Sequence, residues 1–295
     1  MGFDTAYEAI NEGDDPGHRW AYGTGFTDPL AGVDTTLPAG VDGPDLAAYC
    51  LMLGDDALIM SHRLQQWLAR APELEEETAL ANIALDLLGQ ARLLLSRAGT
   101  ADGSQRTEDD FAFGRAEREF RSVRLAEAAD ADFAGLIARL LVFSAWRLAL
   151  LDRLRSSADP VLAAVAAQGV REVAYHRDYA AQWLVRLGDG TDYSRARMTA
   201  GLAAVAPLVP ELFAATEVER RLAAAGVAVD PAGLRAEFDE VLAAVLTAAG
   251  LDWPETPALA GVSGQAGRDG VHTEAMGLLL AELQSVARSL PGATW

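Results

Sequence analysis

The sequence predicts an all-α protein whose core is a four-helix bundle. Of its 295 residues 51% are hydrophobic, and alanine and leucine, both strong helix formers, are prominent among them. Prolines and glycines lie mostly where the 3.6-residue apolar period starts or stops. Four of the periodic segments run for about 25 to 30 residues, and shorter ones follow them. This order predicts a bundle of four helices with a C-terminal helical elaboration.

The first two helices are predicted over about 45–69 and from Pro72 to about residue 99. Proline is favoured in the first turn of a helix because that turn does not use its N–H. The glutamates that follow Pro72 complement the positive end of the helix dipole. A polar loop over about 100–108 and one or two short helices are expected before the third long helix.

The third and fourth long helices are predicted over about 131–156 and 160–188. Asp159 and Pro160 form the N-cap and first-turn pair of the fourth, and Gly188 ends it. Within the third, the segment from Phe133 to Leu151 is apolar nearly all round, yet it contains Arg139 and Arg147. Each arginine would cost roughly 2.5 to 3.5 kcal/mol at a bilayer centre. The segment is therefore predicted to be the buried member of the bundle, not a membrane span.

The remaining helices are separated by clear breaks. Pro207 and Pro210 divide two helical runs, and Asp230 begins another that ends at Gly250. A stretch rich in glycine and proline over 252–270 precedes a C-terminal amphipathic helix. Its apolar positions are Met276, Leu279, Leu280, Leu283, Val286 and Leu290.

Two domains of unequal character are expected. Residues 1–43 carry eight acidic residues, one arginine and no periodicity, which predicts a flexible or partner-bound N-terminal extension. Residues 44–295 form the helical domain. The net charge of −19 argues against a nucleic-acid partner, which needs a positive surface. The N-terminus lacks a signal-peptide pattern and Cys50 cannot form an internal disulfide, so we expect a cytoplasmic protein.

Polar residues in the second helix raise the question of a metal site. Asn82, Asp86 and Gln90 are spaced one turn apart among leucines and alanines. A di-iron carboxylate bundle needs a Glu from each of two helices and Glu-x-x-His from each of the other two. None of the four histidines completes a helical Glu-x-x-His, and the third helix contains no acid from Phe133 to Leu151.

We therefore predict a polar network where a metal centre has been lost. His176 lies on an apolar stripe of the fourth helix, so it should face the core and find a polar partner. The network candidates, offered in place of catalytic, cofactor-binding or metal-ligating residues, are Asp55, Asp56, Asn82, Asp86, Glu172 and His176, with Tyr175 as a further neighbour.

Several long motifs resemble one protein family. These are "LGDDALIMSHRLQQW", "APELEEETALANIALDLLGQARLLL", "TEDDFAFGRAEREFR", "REVAYHRDYAAQWLVRLGDGT" and "HTEAMGLLLAELQSVARSLPGATW". Together they resemble, in order over about 45–295, the C subunits of the bacterial ring-1,2-phenylacetyl-CoA epoxidases, which are multicomponent phenylacetyl-CoA oxygenases. The acidic extension departs from that family.

The resemblance implies a ferritin-like fold and a non-catalytic structural role in aerobic phenylacetate catabolism. It implies pairing with a homologous catalytic A subunit, which holds the di-iron centre, within a complex that adds a B subunit and a reductase. No cofactor is expected in this chain. Trp20, Trp253 and Trp295 are candidate contact residues. Two alternatives remain: a stand-alone di-iron oxygenase or iron protein with an irregular site, and a helical acyl-CoA-binding protein, for which we find no pocket motif.

Overall fold

Ten α-helices make up the fold in the computed structural model, which describes residues 30–291 and 293. They are α1 (Gly43–Gln65), α2 (Leu74–Ala101), α3 (Glu108–Phe113), α4 (Arg124–Glu127), α5 (Phe133–Leu154), α6 (Pro160–Gly188), α7 (Asp192–Val205), α8 (Glu217–Ala224), α9 (Arg235–Ala249) and α10 (Glu274–Ser289). Short 3₁₀ helices cover Glu117–Glu119, Ala206–Phe213, Pro231–Leu234 and Gly267–Asp269. Apart from one isolated bridge between Val262 and Gln265, these residues form no β-structure, which confirms the all-α prediction.

The four long helices pack as two hairpins. Helix α1 lies against α2, α5 lies against α6, and α2 also contacts α6. The connection from α2 to α5 is long and carries α3 and α4, so it crosses from one hairpin to the other. Buried apolar residues line the inner faces of all four helices. The core is therefore the bundle predicted from the four long periodic segments.

The start of α6 and the end of α9 lie where the capping residues in the sequence predict them. Asp159 caps α6 by accepting a hydrogen bond from the N–H of Leu162, at 2.8 Å, and Pro160 occupies the first turn. Gly250 ends α9 in the left-handed conformation at φ +64°, which a glycine adopts without strain.

The start of α2 differs from the prediction. Pro72 lies outside the helix, since Glu73 has an extended backbone and the helix begins at Leu74. The carboxylates that follow still lie near the positive end of the dipole. Helix α1 also ends at Gln65, about one turn earlier than predicted, and the chain then turns.

The C-terminal helices surround the bundle. Helix α7 packs on α5 and α6, and α9 packs on α6. Helix α10 lies over α1, α3 and α4, where the Arg63 guanidinium donates to the carbonyl oxygen of Ala275 at 3.0 Å. Gln284 of α10 donates to the carbonyl oxygen of Ala112 at 2.9 Å. These contacts attach α10 to α1 and to α3 of the connection between the hairpins.

Within the described part of the chain, the helices α2 and α5 are each long and apolar enough to cross a membrane on length and composition. In α5, 94% of the most apolar window is buried within the protein. Arg139 and Arg147, the two arginines of the apolar segment, are also buried, and Arg139 is held by Asp130, with Nε to Oδ1 at 2.7 Å. Packing in the bundle core thus accounts for the hydrophobicity of α5.

The predicted division at residue 43 stays a prediction. Residues 1–29 lie outside the described residues. Closer to α1, the buried Arg97 guanidinium donates to the carbonyl oxygens of Thr35 and Thr36. The chain just before the bundle is therefore tied to α2.

Candidate functional site

The middle of the bundle holds a polar network to which all four long helices contribute. Arg147 of α5 is fully buried, and its Nε donates to Oε1 of Gln90 of α2 at 2.9 Å. Its Nη1 donates to the carbonyl oxygen of Leu53 of α1 at 3.3 Å. Gln90 in turn donates through Nε2 to Oε2 of Glu172 of α6 at 2.8 Å. An amide side chain thus bridges a buried guanidinium and a half-buried carboxylate.

A glycine makes the bridge possible. A Cβ added to Gly169 of α6 would lie 2.9 Å from Cδ1 of Leu151 and 3.2 Å from Nε2 of Gln90. The missing side chain therefore lets Gln90 approach α6 closely. The second oxygen of Glu172 accepts from Nε2 of Gln168 at 2.7 Å, so both carboxylate oxygens have donors.

The guanidinium of Arg147 is charged at neutral pH. Burial lowers its pKa to about 10, while the negative charges of Asp56 and Glu172 oppose that effect. Its Nη2 is buried and has no hydrogen-bond partner in the described part of the chain. The bundle centre therefore contains a permanent internal cation that is incompletely hydrogen-bonded.

One turn away, Asp86 and His176 form a second polar layer. His176 is 1% exposed, as its place on the apolar stripe of α6 predicts, and its Nε2 lies 3.0 Å from Oδ2 of Asp86. The Asp86 side chain is 36% exposed. Asp86 is four residues before Gln90, and Glu172 is four before His176, so the two layers stack along the same pair of helices.

Asp55 and Asp56 lie on α1 but bind outside the central network. Asp55 pairs with Arg115, with Nη1 to Oδ2 at 3.0 Å, and accepts from the N–H of Arg121 at 2.7 Å. Asp56 pairs with Arg268 through contacts of 2.9 and 2.8 Å. Both carboxylates are fully buried, and they fasten the α2–α5 connection and the segment before α10 to α1.

Asn82 and Tyr175 are exposed, so the expectation that Asn82 faces the core is wrong. Four residues advance an α-helix by about 40° beyond one full turn. Asn82, Asp86 and Gln90 therefore rotate progressively from solvent towards the core: the first is exposed, the second is half-buried and the third is buried.

Sequence reasoning missed the residue at the centre. It treats Arg147 only as a cost in a membrane, although an arginine in an otherwise apolar core helix needs a buried acceptor. That requirement points to a partner on a facing helix, and Gln90 is that partner. A second missed pair is His272 and Glu127, both fully buried, with Nδ1 and Oε2 2.6 Å apart.

The donor set does not fit a dinuclear metal centre. Across residues 30–291 and 293, no three His, Cys, Asp or Glu side chains lie close enough to hold a metal ion. The network supplies one carboxylate, one amide and a guanidinium, whereas a di-iron bundle uses several carboxylates and two imidazoles. The Arg147 charge would also repel a metal cation.

A separate cleft opens between α1, α2, α3 and α10. Its volume is about 350 Å³, and its apolar walls include Leu58, Leu88, Leu95, Phe113 and Leu283. Its polar lining includes Ser61, His62, Gln65, Arg92, Glu108, Asp109 and Glu282. We call it the His62 cleft. Arg92 is engaged by Glu108, with Nη2 to Oε1 at 3.2 Å, so the cleft has an excess of negative charge.

Comparisons with known proteins agree with this architecture. A family described as "Phenylacetic acid catabolic protein" matches residues 34–295. The C subunit of the 1,2-phenylacetyl-CoA epoxidase of Escherichia coli (strain K12) is 44% identical over 250 residues, which are 85% of this chain and 99% of that relative. The all-α bundle is consistent with the ferritin-like fold that the resemblance implied.

Proposed function

Since the chain belongs to the family of phenylacetic acid catabolic proteins, we propose that it is the C subunit of a cytoplasmic 1,2-phenylacetyl-CoA epoxidase. In this proposal it carries out no chemistry itself. It pairs with a homologous catalytic A subunit, whose di-iron centre performs the oxidation, and stabilises that subunit by binding it. A B subunit and a reductase complete the assembly.

The observation that carries the proposal is the internal cation at the bundle centre. Arg147 is linked to Gln90 and, through it, to Glu172, at the place where inward-facing carboxylates would be needed. The arrangement satisfies one carboxylate with groups of the chain itself. This favours a supporting role over a di-iron oxygenase or an iron-storage protein.

The His62 cleft argues against an independent acyl-CoA-binding function. Coenzyme A is strongly anionic, and the cleft presents Glu108, Asp109 and Glu282, with its arginine already paired to Glu108. The negative charges of these carboxylates oppose binding of a phosphate-bearing ligand. The described lining of the cleft therefore lacks the free positive groups that such a ligand requires.

A surface on α2 and α6 fits the partner subunit. Leu85 of α2 is 62% exposed and Tyr175 of α6 is 53% exposed. They flank Asp86 and His176, which join the two helices. Contiguous exposed apolar patches mark protein interfaces, and we infer that these two side chains contribute to such a patch. A stable interface needs about 1,200 to 2,000 Å² of buried surface, so this α2/α6 face would form only its centre. The half-buried Trp253 lies in the segment after α9, and Trp20 and Trp295 fall outside the described residues.

Co-expression with the catalytic homologue tests the proposal. We expect the two chains to co-elute in size-exclusion chromatography and the iron to reside in the partner. The double variant Leu85→Asp and Tyr175→Asp should elute apart from the partner, because it places charge at the interface centre. Tyr193→Asp, at a 72% exposed tyrosine on α7, is the matched control and should still co-elute.

Two results would overturn this function. One is stoichiometric binding of two iron ions by the isolated chain, measured by elemental analysis after purification in ferrous buffer. The other is separate elution of the two wild-type chains at micromolar concentration.

A further inference from the structure

We propose that the His62 cleft binds a segment of a partner protein that presents a bulky apolar side chain beside an arginine or lysine. This assignment concerns a cleft lined by residues of α1, α2, α3 and α10, none of which is Leu85, Asp86, Tyr175 or His176 of the α2/α6 face, and does not depend on the identity of the partner. The occupant follows from the volume, the polar lining and the charge of the cleft.

The volume and walls fit one or two large apolar side chains. A cavity of about 150 Å³ already accommodates a benzene ring, and this cleft measures about 350 Å³. Leucines from α1, α2 and α10 and Phe113 of α3 form its apolar surface. Removing such an apolar surface from water is favourable. The walls therefore provide an anchor site for a leucine or an aromatic side chain.

An unpartnered imidazole favours a peptide as the occupant. Nε2 of His62 is buried and makes no hydrogen bond within the described chain. Leaving such a buried group without a hydrogen-bond partner is unfavourable. Burial lowers the pKa of His62, so the ring is neutral, and Nε2 either donates or accepts depending on the tautomer. Because Nε2 is buried, the His62 ring has to turn toward the cleft that it lines, and a peptide backbone, which supplies both an N–H and a C=O, can then satisfy either state.

The negative charge at the rim of the cleft favours a basic residue next to the apolar anchor side chain of the bound segment. Among the residues that the structure describes, Asp109 has no ion-pair or hydrogen-bond partner, and partial burial together with the charge of Glu108 raises its pKa. Glu282 accepts from Nε2 of Gln66, a neutral group that does not offset its negative charge. An arginine or lysine next to the anchor would relieve this repulsion and pair with the carboxylates.

Residues 1–29 of the chain itself are less suited to the cleft. They contain six acidic residues and one arginine, Arg19, next to Trp20. Their overall negative charge opposes an acidic rim. This charge comparison favours a separate protein as the source of the segment.

Fluorescence anisotropy with two labelled probes tests the proposal on the full chain. The probes are the pentapeptides Gly-Arg-Phe-Arg-Gly and Gly-Glu-Phe-Glu-Gly. We expect saturable binding of the arginine peptide and at least about tenfold weaker binding of the glutamate peptide, since tenfold corresponds to 1.4 kcal/mol. Equal binding of the two probes, or no binding of either, would overturn the assignment.

Three variants locate the binding. Asp109→Asn with Glu282→Gln should weaken the arginine peptide about tenfold. Leu88→Trp should abolish binding by filling the cleft, with circular dichroism confirming the fold. The matched control, Glu240→Gln with Asp252→Asn, removes the same charge elsewhere and should change affinity less than about twofold. An equal loss in the control would mean general attraction to an acidic protein and would refute the proposal.

A fourth variant, Trp20→Ala, tests the competing occupant. Binding of the arginine peptide should be unchanged in this variant. Tighter binding would show that the chain's own N-terminal segment covers the cleft, and the assignment to a partner would then be wrong.

Discussion

Replacing Arg147 by methionine should destabilise the protein. The substitution preserves the length of the apolar stem but removes the guanidinium that donates to Gln90. Gln90 is 2% exposed, so its Oε1 would lose its donor away from water. An unsatisfied buried acceptor costs about 1 to 3 kcal/mol. Since Nη2 of Arg147 is unpartnered within the described residues, its removal recovers part of that cost, and we expect a net loss of about 1 to 2 kcal/mol.

The assay is urea unfolding followed by far-ultraviolet circular dichroism. Arg153→Met is the matched control, because Arg153 is on the same helix and forms a half-exposed pair with Glu237, with Nη1 to Oε2 at 2.8 Å. Such a surface pair contributes at most about 1 kcal/mol. If Arg147→Met lowers the free energy of unfolding no more than Arg153→Met does, the central network contributes nothing to stability and the reasoning fails.

The triple variant Gln90→Met, Arg147→Met and Glu172→Met tests the same argument by removing all three network side chains at once. Removing all members leaves no charge or amide of the network unsatisfied, and replacing buried polar networks by apolar groups is often neutral or stabilising by about 1 to 4 kcal/mol. We expect the triple variant to be more stable than Arg147→Met. A triple variant less stable than the single one would show that the polar groups, and not their imbalance, hold the bundle together.

Two further outcomes follow from the structure. Gly89→Ala should stabilise α2 by about 0.5 to 1 kcal/mol because the added Cβ meets open space. Gly99→Ala should instead cost at least about 2 kcal/mol, because its Cβ would lie 2.0 Å from the carbonyl oxygen of Arg106. Thermal unfolding of the two variants checks the sign of each change in stability. Burial alone would lower the pKa of His272, but its hydrogen bond to Glu127 and the charge of that carboxylate outweigh burial and raise it. The contribution of this pair to the free energy of unfolding is therefore complete below about pH 6.5 and decreases as the pH rises through the folded-state pKa of His272. Urea unfolding from about pH 6 to 9 should show this decrease in the wild type. The decrease should be absent in His272→Gln.

Local chemistry made much of the fold predictable. The cap at Asp159, the first-turn proline after it and the left-handed Gly250 are decided by neighbouring residues, and the structure has them as expected. The start of α2 was less predictable, since the extended backbone of Glu73 separates Pro72 from the helix. A proline that suits a helix start does not by itself fix which residue comes first.

The site depended on information that a single helix does not contain. Asp55 pairs with Arg115, which lies 60 residues later in the chain, and Asp56 pairs with Arg268, which lies 212 residues later. Spacing along the chain identifies inward-facing positions but gives no partner across such separations. The 40° drift per four residues also separates positions that look equivalent in the sequence, which explains why Asn82 is exposed while Gln90 is buried.

The network also shows how such a bundle can satisfy an inward carboxylate without capturing an ion. Glu172 is half-buried, and a carboxylate that is partly withdrawn from water is costly unless donors and a compensating charge replace the lost hydration. A bound metal would have to be acquired from solution, and the fold would then depend on its concentration. Here α5 supplies Arg147 when the bundle folds, and Gln90 accepts a hydrogen bond from Arg147 and donates one to Glu172. Because the compensating charge is covalently part of the chain, assembly of the centre becomes a property of folding alone, which suits a subunit whose proposed task is to present a stable surface to a partner.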